Sequence, residues 1–286
     1  MKAFRLYSIL LAAGLVSFLF VGCTSNPFGD DDIGGGTRAM SGKVQLNDGS
    51  NPEGIYVWLE TFNIGTRTDN SGQFKLTLPP PAAQGGGGGI DGAFSLYFYV
   101  ANYQLATAQA VTRGGEFIFD QGDINAKGEL RTTKLLKRML RIQTQVDPSP
   151  VPSNYQFRIG VQVTLQATID SVTVRLPSVG GLLNTLFFRN IKTGELFKHE
   201  SIINAPFGNI LIGSSPESRV LTFSLNQIPG LTQGDYEVIP YLLVAHDAVP
   251  EELINSIAAD AQSFDANYLK LPFRREGGQF KIVTPE

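Results

Sequence analysis

The sequence predicts an all-β protein that contains two β-sandwich domains. Apolar and polar residues alternate with a period of two over much of the chain, which indicates strands with one buried face. Clusters of Gly, Asn, Asp and Pro separate these runs, as turns between strands require. Removal of a predicted N-terminal leader, residues 1–22, leaves 264 of the 286 residues, more than a typical single domain of about 100 to 150 residues. We expect one sandwich over residues 41–135 and a second over residues 136–286.

The N-terminus has the layout of a secretory signal that ends at the single cysteine, Cys23. Lys2 and Arg5 precede an uncharged stretch, residues 6–22, which ends in Leu-Phe-Val-Gly directly before the cysteine. This stretch is shorter than the about 20 apolar residues of a membrane-spanning helix. It resembles the lipobox of bacterial lipoproteins, and the resemblance implies a signal peptide over residues 1–22 and a lipid anchor on Cys23.

Residues 23–40 are predicted to form a flexible tether. This segment contains an Asp triplet at 30–32 and a Gly triplet at 34–36, and such residues bury too little surface to offset the entropy of ordering them. The Asp triplet lacks the alternating spacing of a calcium loop, so we expect no metal there. In Gram-negative lipoproteins an Asp directly after the lipidated cysteine favours the inner membrane. Thr24 stands at that position, and the resemblance therefore implies the outer membrane of a bacterial cell envelope.

The net charge limits which partners are expected, and the cysteine content limits how the fold can be stabilised. The formal net charge is −3 for the whole chain and becomes −5 once the leader, with its two basic side chains, is removed. Binding to nucleic acid depends largely on neutralising phosphates, so nucleic acid is not an expected partner. A single cysteine allows no disulfide within the chain, and the fold must be stabilised by burial of apolar surface.

The first domain is predicted to be built from short strands. Alternation is clear in residues 42–47, 55–60, 74–78 and 94–100, and a further short strand is expected to end at Thr68. Polar turn clusters separate these runs, and they include a turn that leads into Phe74. A longer segment, residues 79–89, is rich in Pro and Gly and leads into another strand rather than a helix. We therefore predict a flexible loop there and no phosphate site.

The motif Thr68-Asp69-Asn70-Ser71-Gly72-Gln73-Phe74, together with the strands that precede it from Gly42, resembles the carboxypeptidase regulatory-like family, which has a transthyretin-like β-sandwich. In such a turn Asp caps the backbone with its side chain, Gly supplies a left-handed conformation, and Phe enters the core. The motif contains no catalytic residue, and the resemblance implies an accessory domain.

Four aromatic residues of the first domain are candidates for a ligand platform. Each lies on the strand face opposite the predicted core, and flat rings with a polar edge suit sugars or protein partners; they are Tyr56, Trp58, Tyr97 and Tyr99. The alternative is that a second sheet or the neighbouring domain covers these rings.

The boundary between the domains is predicted near residue 136. Basic residues are concentrated over residues 127–141, where they form either a solvated face at the joint or a surface that contacts an anionic membrane. The apolar residues of this segment fit a helical stripe over residues 135–140 or a strand that begins at Leu140.

The second domain is predicted to contain longer strands and one helix. Alternation is strongest over residues 155–165, and more strands are expected over 172–176, 221–225 and 280–283, with a hairpin of two strands, 186–188 and 196–197, around a turn at 192–194. Residues 250–262 have helical spacing, with Pro250 at the start and two acidic residues in the first turn. The segment around Tyr236 resembles the tyrosine corner of immunoglobulin-like and fibronectin-type sandwiches, in which the ring packs inward and the hydroxyl binds nearby backbone.

The sequence indicates no catalytic residue, metal site or cofactor. The two histidines, His199 and His246, are far apart and have no further metal ligands at suitable spacing. No Gly-x-Ser-x-Gly motif is present. We predict a lipid-anchored envelope protein whose non-catalytic β-sandwich domains bind protein or glycan. Two alternatives remain open: a structural subunit of an outer-membrane assembly, and an envelope hydrolase with a carboxylate pair, whose spacing is spatial rather than sequential.

Overall fold

The computed structural model describes residues 38–85 and 87–285. The predicted signal peptide, Cys23 and the predicted tether up to residue 37 lie outside the described residues. Within them the chain is nearly all β, with a single α-helix. The prediction of an all-β sandwich protein is confirmed.

The N-terminal sandwich consists of two sheets, in the strand orders β4-β1-β8 and β3-β2-β5-β6-β7. Its elements are β1 (Ala39–Leu46), β2 (Tyr56–Leu59), β3 (Ile64–Arg67), β4 (Gln73–Thr77), a 3-10 helix (Pro81–Ala83), β5 (Gly92–Tyr99), β6 (Ala106–Arg113), β7 (Glu116–Phe117) and β8 (Lys134–Leu136). Alternate residues of the two sheets meet in one core, which includes Val44, Val57, Phe74, Leu96 and Phe98. Burial of these side chains stabilises the sandwich by about 25 cal/mol per Å² of apolar surface.

The turn before β4 has the predicted structure. The carboxylate of Asp69 accepts hydrogen bonds from the backbone N–H of Ser71 at 2.8 Å and of Gln73 at 2.9 Å. Gly72 has a φ of 80°, and Phe74 is buried in the core. Asp69, Gly72 and Phe74 therefore have the roles that their chemistry predicts.

The C-terminal sandwich has three sheets, in the orders β10-β21-β18-β14-β15, β17-β11-β9-β20 and β13-β12-β16, and β19 also pairs with β12. The elements up to the middle of this sandwich are β9 (Leu140–Asp147), β10 (Val151–Pro152), β11 (Ile159–Ala167), β12 (Ser171–Val179), β13 (Leu182–Leu183), β14 (Thr185–Asn190), β15 (Leu196–Glu200), β16 (Phe207–Gly213) and β17 (Glu217–Phe223). The remaining elements are a 3-10 helix (Leu225–Gln227), β18 (Gly234–Pro240), β19 (Leu243–Val244), α1 (Glu251–Ile257), a 3-10 helix (Ala266–Lys270), β20 (Glu276–Gly277) and β21 (Gln279–Val283).

Tyr236 has the predicted corner geometry. Its ring is buried, its hydroxyl donates to the Thr232 carbonyl at 2.8 Å, and the Thr232 N–H donates back to it at 3.2 Å. The ring packs near Phe280 in the same core. This residue therefore links the start of β18 to the sandwich interior.

Three boundaries differ from the sequence prediction or decide between its alternatives. β11 begins at Ile159 rather than at residue 155, because residues 152–155 form a turn and the Phe157 side chain is 72% exposed. α1 ends at Ile257 rather than at residue 262. The backbone is extended at Ala258, and the chain that follows places Ala261 in the core. Residues 135–140 contain no helix: β8 ends at Leu136 and β9 begins at Leu140, as the second alternative predicted.

Candidate functional site

The aromatic face of the N-terminal sandwich is covered by the C-terminal sandwich. Trp58 is 3% exposed, Tyr56 and Tyr99 are also buried, and the half-buried Tyr97 packs against the same cluster. This cluster is the core of the C-terminal sandwich, which continues across the joint. The four rings therefore do not form an open ligand platform, and the structure corrects that prediction in favour of the covered alternative.

The cover consists of α1 and the loop that precedes it, residues 245–250. The Tyr56 hydroxyl forms a hydrogen bond of 2.9 Å with Ser256 of α1. The His246 ring lies 5.8 Å from the Tyr99 ring, and Leu253 of α1 is fully buried in the shared core. β2 and β5 are central strands with apolar residues on both faces, so the face turned away from the first core requires a second cover.

Asn102 ties the two sandwiches together at this joint. Its side-chain amide donates to the carbonyls of Leu140 and Arg274, both at 2.9 Å, and its side-chain oxygen accepts from the Arg274 N–H at 3.0 Å. The Ala101 N–H also donates to the Pro272 carbonyl at 2.7 Å. Because Asn102 is fully buried, each of these bonds is protected from water and holds the joint in one arrangement.

A buried arginine forms a second connection. The Arg138 guanidinium donates to Tyr103 at 3.0 Å and to Glu276 at 2.8 Å, and it forms an ion pair with Asp48 at 2.5 Å. Burial opposes ionisation of Asp48, but hydrogen bonds from Tyr103 and Ser50 and the charge of Arg138 lower its pKa below the ordinary value. The predicted basic cluster is therefore partly internal, because Arg138 lies inside the joint rather than on a solvated face.

The two histidines are separate and neutral near pH 7. Burial lowers the pKa of His246, against the opposing effects of the Ala101 carbonyl and Asp247. Burial also lowers the pKa of His199, against the charge of Glu200. In the described part of the chain, no group of three or more His, Cys, Asp or Glu side chains is arranged to hold a metal ion. No helix among residues 38–85 and 87–285 is long and apolar enough to cross a bilayer.

A groove of about 790 Å³ in the C-terminal sandwich is the candidate site. It lies between β13, the end of β15 and β17. Four large apolar side chains line the groove and are exposed to solvent: Val179, Leu182, Ile202 and Val220. The most exposed of them is Leu182, with an exposed fraction of 61%. Arg158, Lys198 and Glu200 also contribute to the lining.

Two sheets end at this groove. Among the described strands, β15 pairs with β14 alone and forms one edge of its sheet, and β17 pairs with β11 alone and forms the edge of another. An edge strand presents backbone N–H and C=O groups that another strand can pair with. The groove therefore combines free backbone groups on two sides with exposed apolar side chains.

The sequence does not predict this groove. The alternation over residues 221–225 predicts a strand there, but β13 is only two residues long and gives no periodic signal. Which strands lie at sheet edges depends on the order of pairing, and β17 pairs with β11 across 52 to 64 residues of sequence. One feature of the sequence does point to this region. Residues 179–203 contain more apolar residues than their strands need for a core, which indicates exposed apolar surface.

No protein-family model matches this chain, and no curated protein matches it. Among solved structures, the chain is similar to a protein from Bacteroides uniformis described as carbohydrate-binding, with 10% identity and a TM-score of 0.34 over 74% of this chain and 91% of that chain. For the shaft pilin SpaA of Lactobacillus rhamnosus GG the identity is 9% and the TM-score 0.23, over 75% and 89% of the two chains. For the TIE protein of Bacillus anthracis the values are 10% and 0.21, over 88% and 51%. These similarities are too distant to indicate a function.

Proposed function

We propose that this chain is a lipid-anchored, non-catalytic protein of the bacterial outer membrane that binds an extended segment of another envelope protein. The binding site is the groove between β13, β15 and β17. The observation that carries the proposal is that two sheets present unpaired edges to one groove whose exposed walls are apolar. The anchor is supported by the resemblance of residues 19–23 to a lipobox.

An extended peptide suits this groove better than a compact ligand. A strand that pairs with a sheet edge gains backbone hydrogen bonds along its length, and its alternate side chains enter pockets on one side. Here the free edge of β17 supplies the backbone groups, and Leu182, Ile202 and Val220 supply apolar surface in the lining of the same groove. Exposed apolar patches of this kind mark interaction surfaces in soluble domains.

The groove is poorly equipped for hydrolysis. Glu200 is the one carboxylate of its lining, so the pair of carboxylates that glycoside cleavage requires is not available there. His199 also lines the groove, but its side chain is mostly buried and packs near Phe223. These features favour binding over the alternative of an envelope hydrolase.

The second candidate is a structural subunit of an outer-membrane assembly. The buried bonds of Asn102 and Arg138 hold the two sandwiches as one body, which suits a spacer between membrane and partner. The two candidates use the same groove and differ in the stoichiometry and lifetime of the complex.

Leu182→Glu tests the groove. A carboxylate in the apolar wall should abolish partner binding, because the charge would have to be buried against Val220 and Ile202. Leu135→Glu is the matched control, since Leu135 is also more than half exposed but lies on β8 of the other sandwich. A photo-crosslinker placed at Val220 in the full chain should join one envelope protein in wild type and in Leu135→Glu but not in Leu182→Glu. Equal crosslinking in all three variants would contradict the proposal, and a purified 1:1 complex would favour the structural subunit.

Cys23→Ala tests the anchor separately. Loss of the lipidated thiol should move the protein from the membrane pellet to the soluble periplasmic fraction, because residues 23–40 have little apolar surface to hold a bilayer. A Ser25→Ala variant controls for changes near the cleavage site. If the Cys23→Ala protein still sediments with membranes, the lipid anchor is wrong, and this result leaves the groove proposal untouched.

A further inference from the structure

A second cleft lies at the joint between the sandwiches and is strongly basic. It has a volume of about 410 Å³ and takes side chains from β3, β14, β18 and the segment over residues 269–275. Its basic side chains are Arg67, Arg189, Lys270, Arg274 and Arg275. The one acidic residue of the lining, Glu237, is already paired with Arg189. An otherwise acidic protein therefore concentrates positive charge at this position.

Most of this positive charge has no acidic partner. The Arg67 guanidinium donates to the carbonyls of Gly54 at 3.1 Å and Lys270 at 2.7 Å. The Arg274 guanidinium donates to the carbonyls of Asn51 at 3.1 Å and Glu53 at 2.5 Å. Carbonyls satisfy the N–H groups and fix the side chains, but they carry no net charge. Within the described residues neither arginine forms an ion pair, and the same holds for Lys270 and Arg275.

The surroundings neutralise these cations only in part. Burial lowers the pKa of Arg67 and of Arg274, and the opposing effects of Tyr103, Asp48 and Glu53 on Arg274 do not cancel that shift. A partly desolvated cation is stabilised by an anion placed beside it, since the anion replaces the lost interaction with water. The cleft therefore has an electrostatic preference for a negatively charged ligand.

Arg275 is held in a fixed plane at the wall of the cleft. Its guanidinium lies 4.1 Å from the centre of the Phe273 ring and donates to the Tyr268 hydroxyl at 2.9 Å. Its Nε is buried and has no hydrogen-bond partner among the described residues. A planar guanidinium held in this way loses little further entropy when it binds the two oxygens of a carboxylate or sulfate.

We propose that this cleft binds the carboxylate or sulfate group of an acidic saccharide. A volume of about 410 Å³ exceeds the space that an inorganic anion needs and is within the range of pockets that enclose a small organic ligand. The apolar residues of the lining, Ile239, Leu271 and Pro272, are themselves buried, so the basic side chains provide most of the surface that a ligand would contact. This site is separate from the groove of the proposed function and independent of it.

Titration calorimetry of the full chain with trigalacturonate and a sulfated disaccharide tests the proposal, with uncharged maltotriose as control ligand. The key variant is Lys270→Gln, because the Lys270 side chain is exposed and makes no ion pair, so its loss should leave the fold intact. Affinity for the acidic saccharides should fall by about tenfold or more, as expected when one charge-assisted hydrogen bond is lost. Arg67→Gln should give a similar loss.

Lys75→Gln is the matched control, since Lys75 is an exposed lysine on β4, away from the cleft. It should bind the acidic saccharides as wild type does. Increasing the salt concentration should weaken binding to wild type more than to Lys270→Gln. The proposal is overturned if maltotriose binds as tightly as trigalacturonate, if Lys270→Gln and Arg67→Gln both bind like Lys75→Gln, or if only phosphatidylglycerol vesicles bind and the saccharides do not.

Discussion

Two independent features of the structure require glycine at position 72: the backbone conformation and the close approach of a neighbouring strand. The φ of Gly72, 80°, lies in the left-handed region, which a side chain disfavours by about 1 to 2 kcal/mol. In addition, a Cβ at this position would lie 2.1 Å from the Val44 carbonyl oxygen. The backbone of the turn and the neighbouring strand β1 therefore both require glycine.

Gly72→Ala should lower the free energy of unfolding by clearly more than 2 kcal/mol, because the clash adds to the backbone strain. Gly49→Ala is the control, since Gly49 has a φ of 74° but no atom within 4 Å of an added Cβ, and it should lose only about 1 to 2 kcal/mol. Urea denaturation measures both values. Equal losses in the two variants would show that the contact with Val44 does not matter.

The histidines make stability depend on pH in a defined direction. Burial lowers the pKa of His199 and of His246, so the unfolded chain, with a histidine pKa of about 6.5, binds protons more readily than the folded chain. Stability from this source is complete above about pH 7 and is lost as the pH falls below about 6.5.

His246→Gln should reduce the loss of stability between pH 7.5 and pH 5.5. Glutamine can still donate to the Ala101 carbonyl, which His246 Nε2 contacts at 2.8 Å, but it does not titrate. Thermal unfolding at the two pH values measures the effect, and Lys137→Gln on the surface serves as control. An unchanged difference in Tm between the two pH values would remove His246 as a source of the pH dependence.

Single residues were predictable where their chemistry is local. Asp69, Gly72 and Phe74 act within one turn, and Tyr236 binds backbone four residues away, so the sequence contains all the partners. The rings of Trp58 and Tyr99 were correctly placed on the face opposite the first core. Alternation does not state what covers that face, and the cover comes from residues about 150 to 200 positions later.

At the scale of elements, α1 is short for its role. It has seven residues and no side-chain cap at its start, and isolated helices of this length are unstable in water. Its stability must come from the shared core, into which Leu253 and Ile254 are inserted. This dependence also explains why the sequence overestimates the length of α1. Helical spacing continues beyond Ile257, but packing against the core determines where the helix ends.

Leu253→Ala should therefore cost about 2 to 5 kcal/mol, the usual range for a fully buried leucine. It should also shift the fluorescence of Trp58, the single tryptophan of the chain, to longer wavelength, because α1 no longer shields that ring from water. The exposed Asn255→Ala on the same helix should change neither quantity. A loss of stability without a spectral shift would mean that α1 does not cover Trp58.

Strands with clear alternation were found from the sequence, whereas short edge strands were not. β1, β4 and β12 alternate in burial as predicted. β13 and β19 have two residues each, and they exist because longer neighbours supply hydrogen bonds. Since the candidate groove is bounded partly by such a strand, its position could be obtained only from the complete sheet order.

For the whole molecule, the joint decides whether the two sandwiches unfold together. The shared apolar core and the bonds of Asn102 couple them. Domains joined by a large hydrophobic interface move as one body, in contrast to domains that meet through small polar contacts. The sequence predicted two sandwiches but gave no measure of this coupling.

Asn102→Leu should weaken the coupling. The substitution leaves the buried N–H of Arg274 and the carbonyls of Leu140 and Arg274 without partners, and each buried unsatisfied group costs about 1 to 3 kcal/mol. Urea denaturation followed by Trp58 fluorescence and by far-ultraviolet circular dichroism should coincide in wild type and separate in the variant. Asn154→Leu on the surface is the control. Coincident curves for Asn102→Leu would show that the apolar contact alone couples the sandwiches.

The buried aromatic face also constrains how this protein can have evolved. Tyr56, Trp58 and Tyr99 share a core with α1 and lie beside the loop that precedes it, which contains His246. A recombination event that transferred either sandwich alone into an unrelated gene would expose this apolar surface to water, and we expect the product to aggregate. The two parts must therefore have been inherited together, and in related proteins changes on one side of the joint should be accompanied by compensating changes on the other.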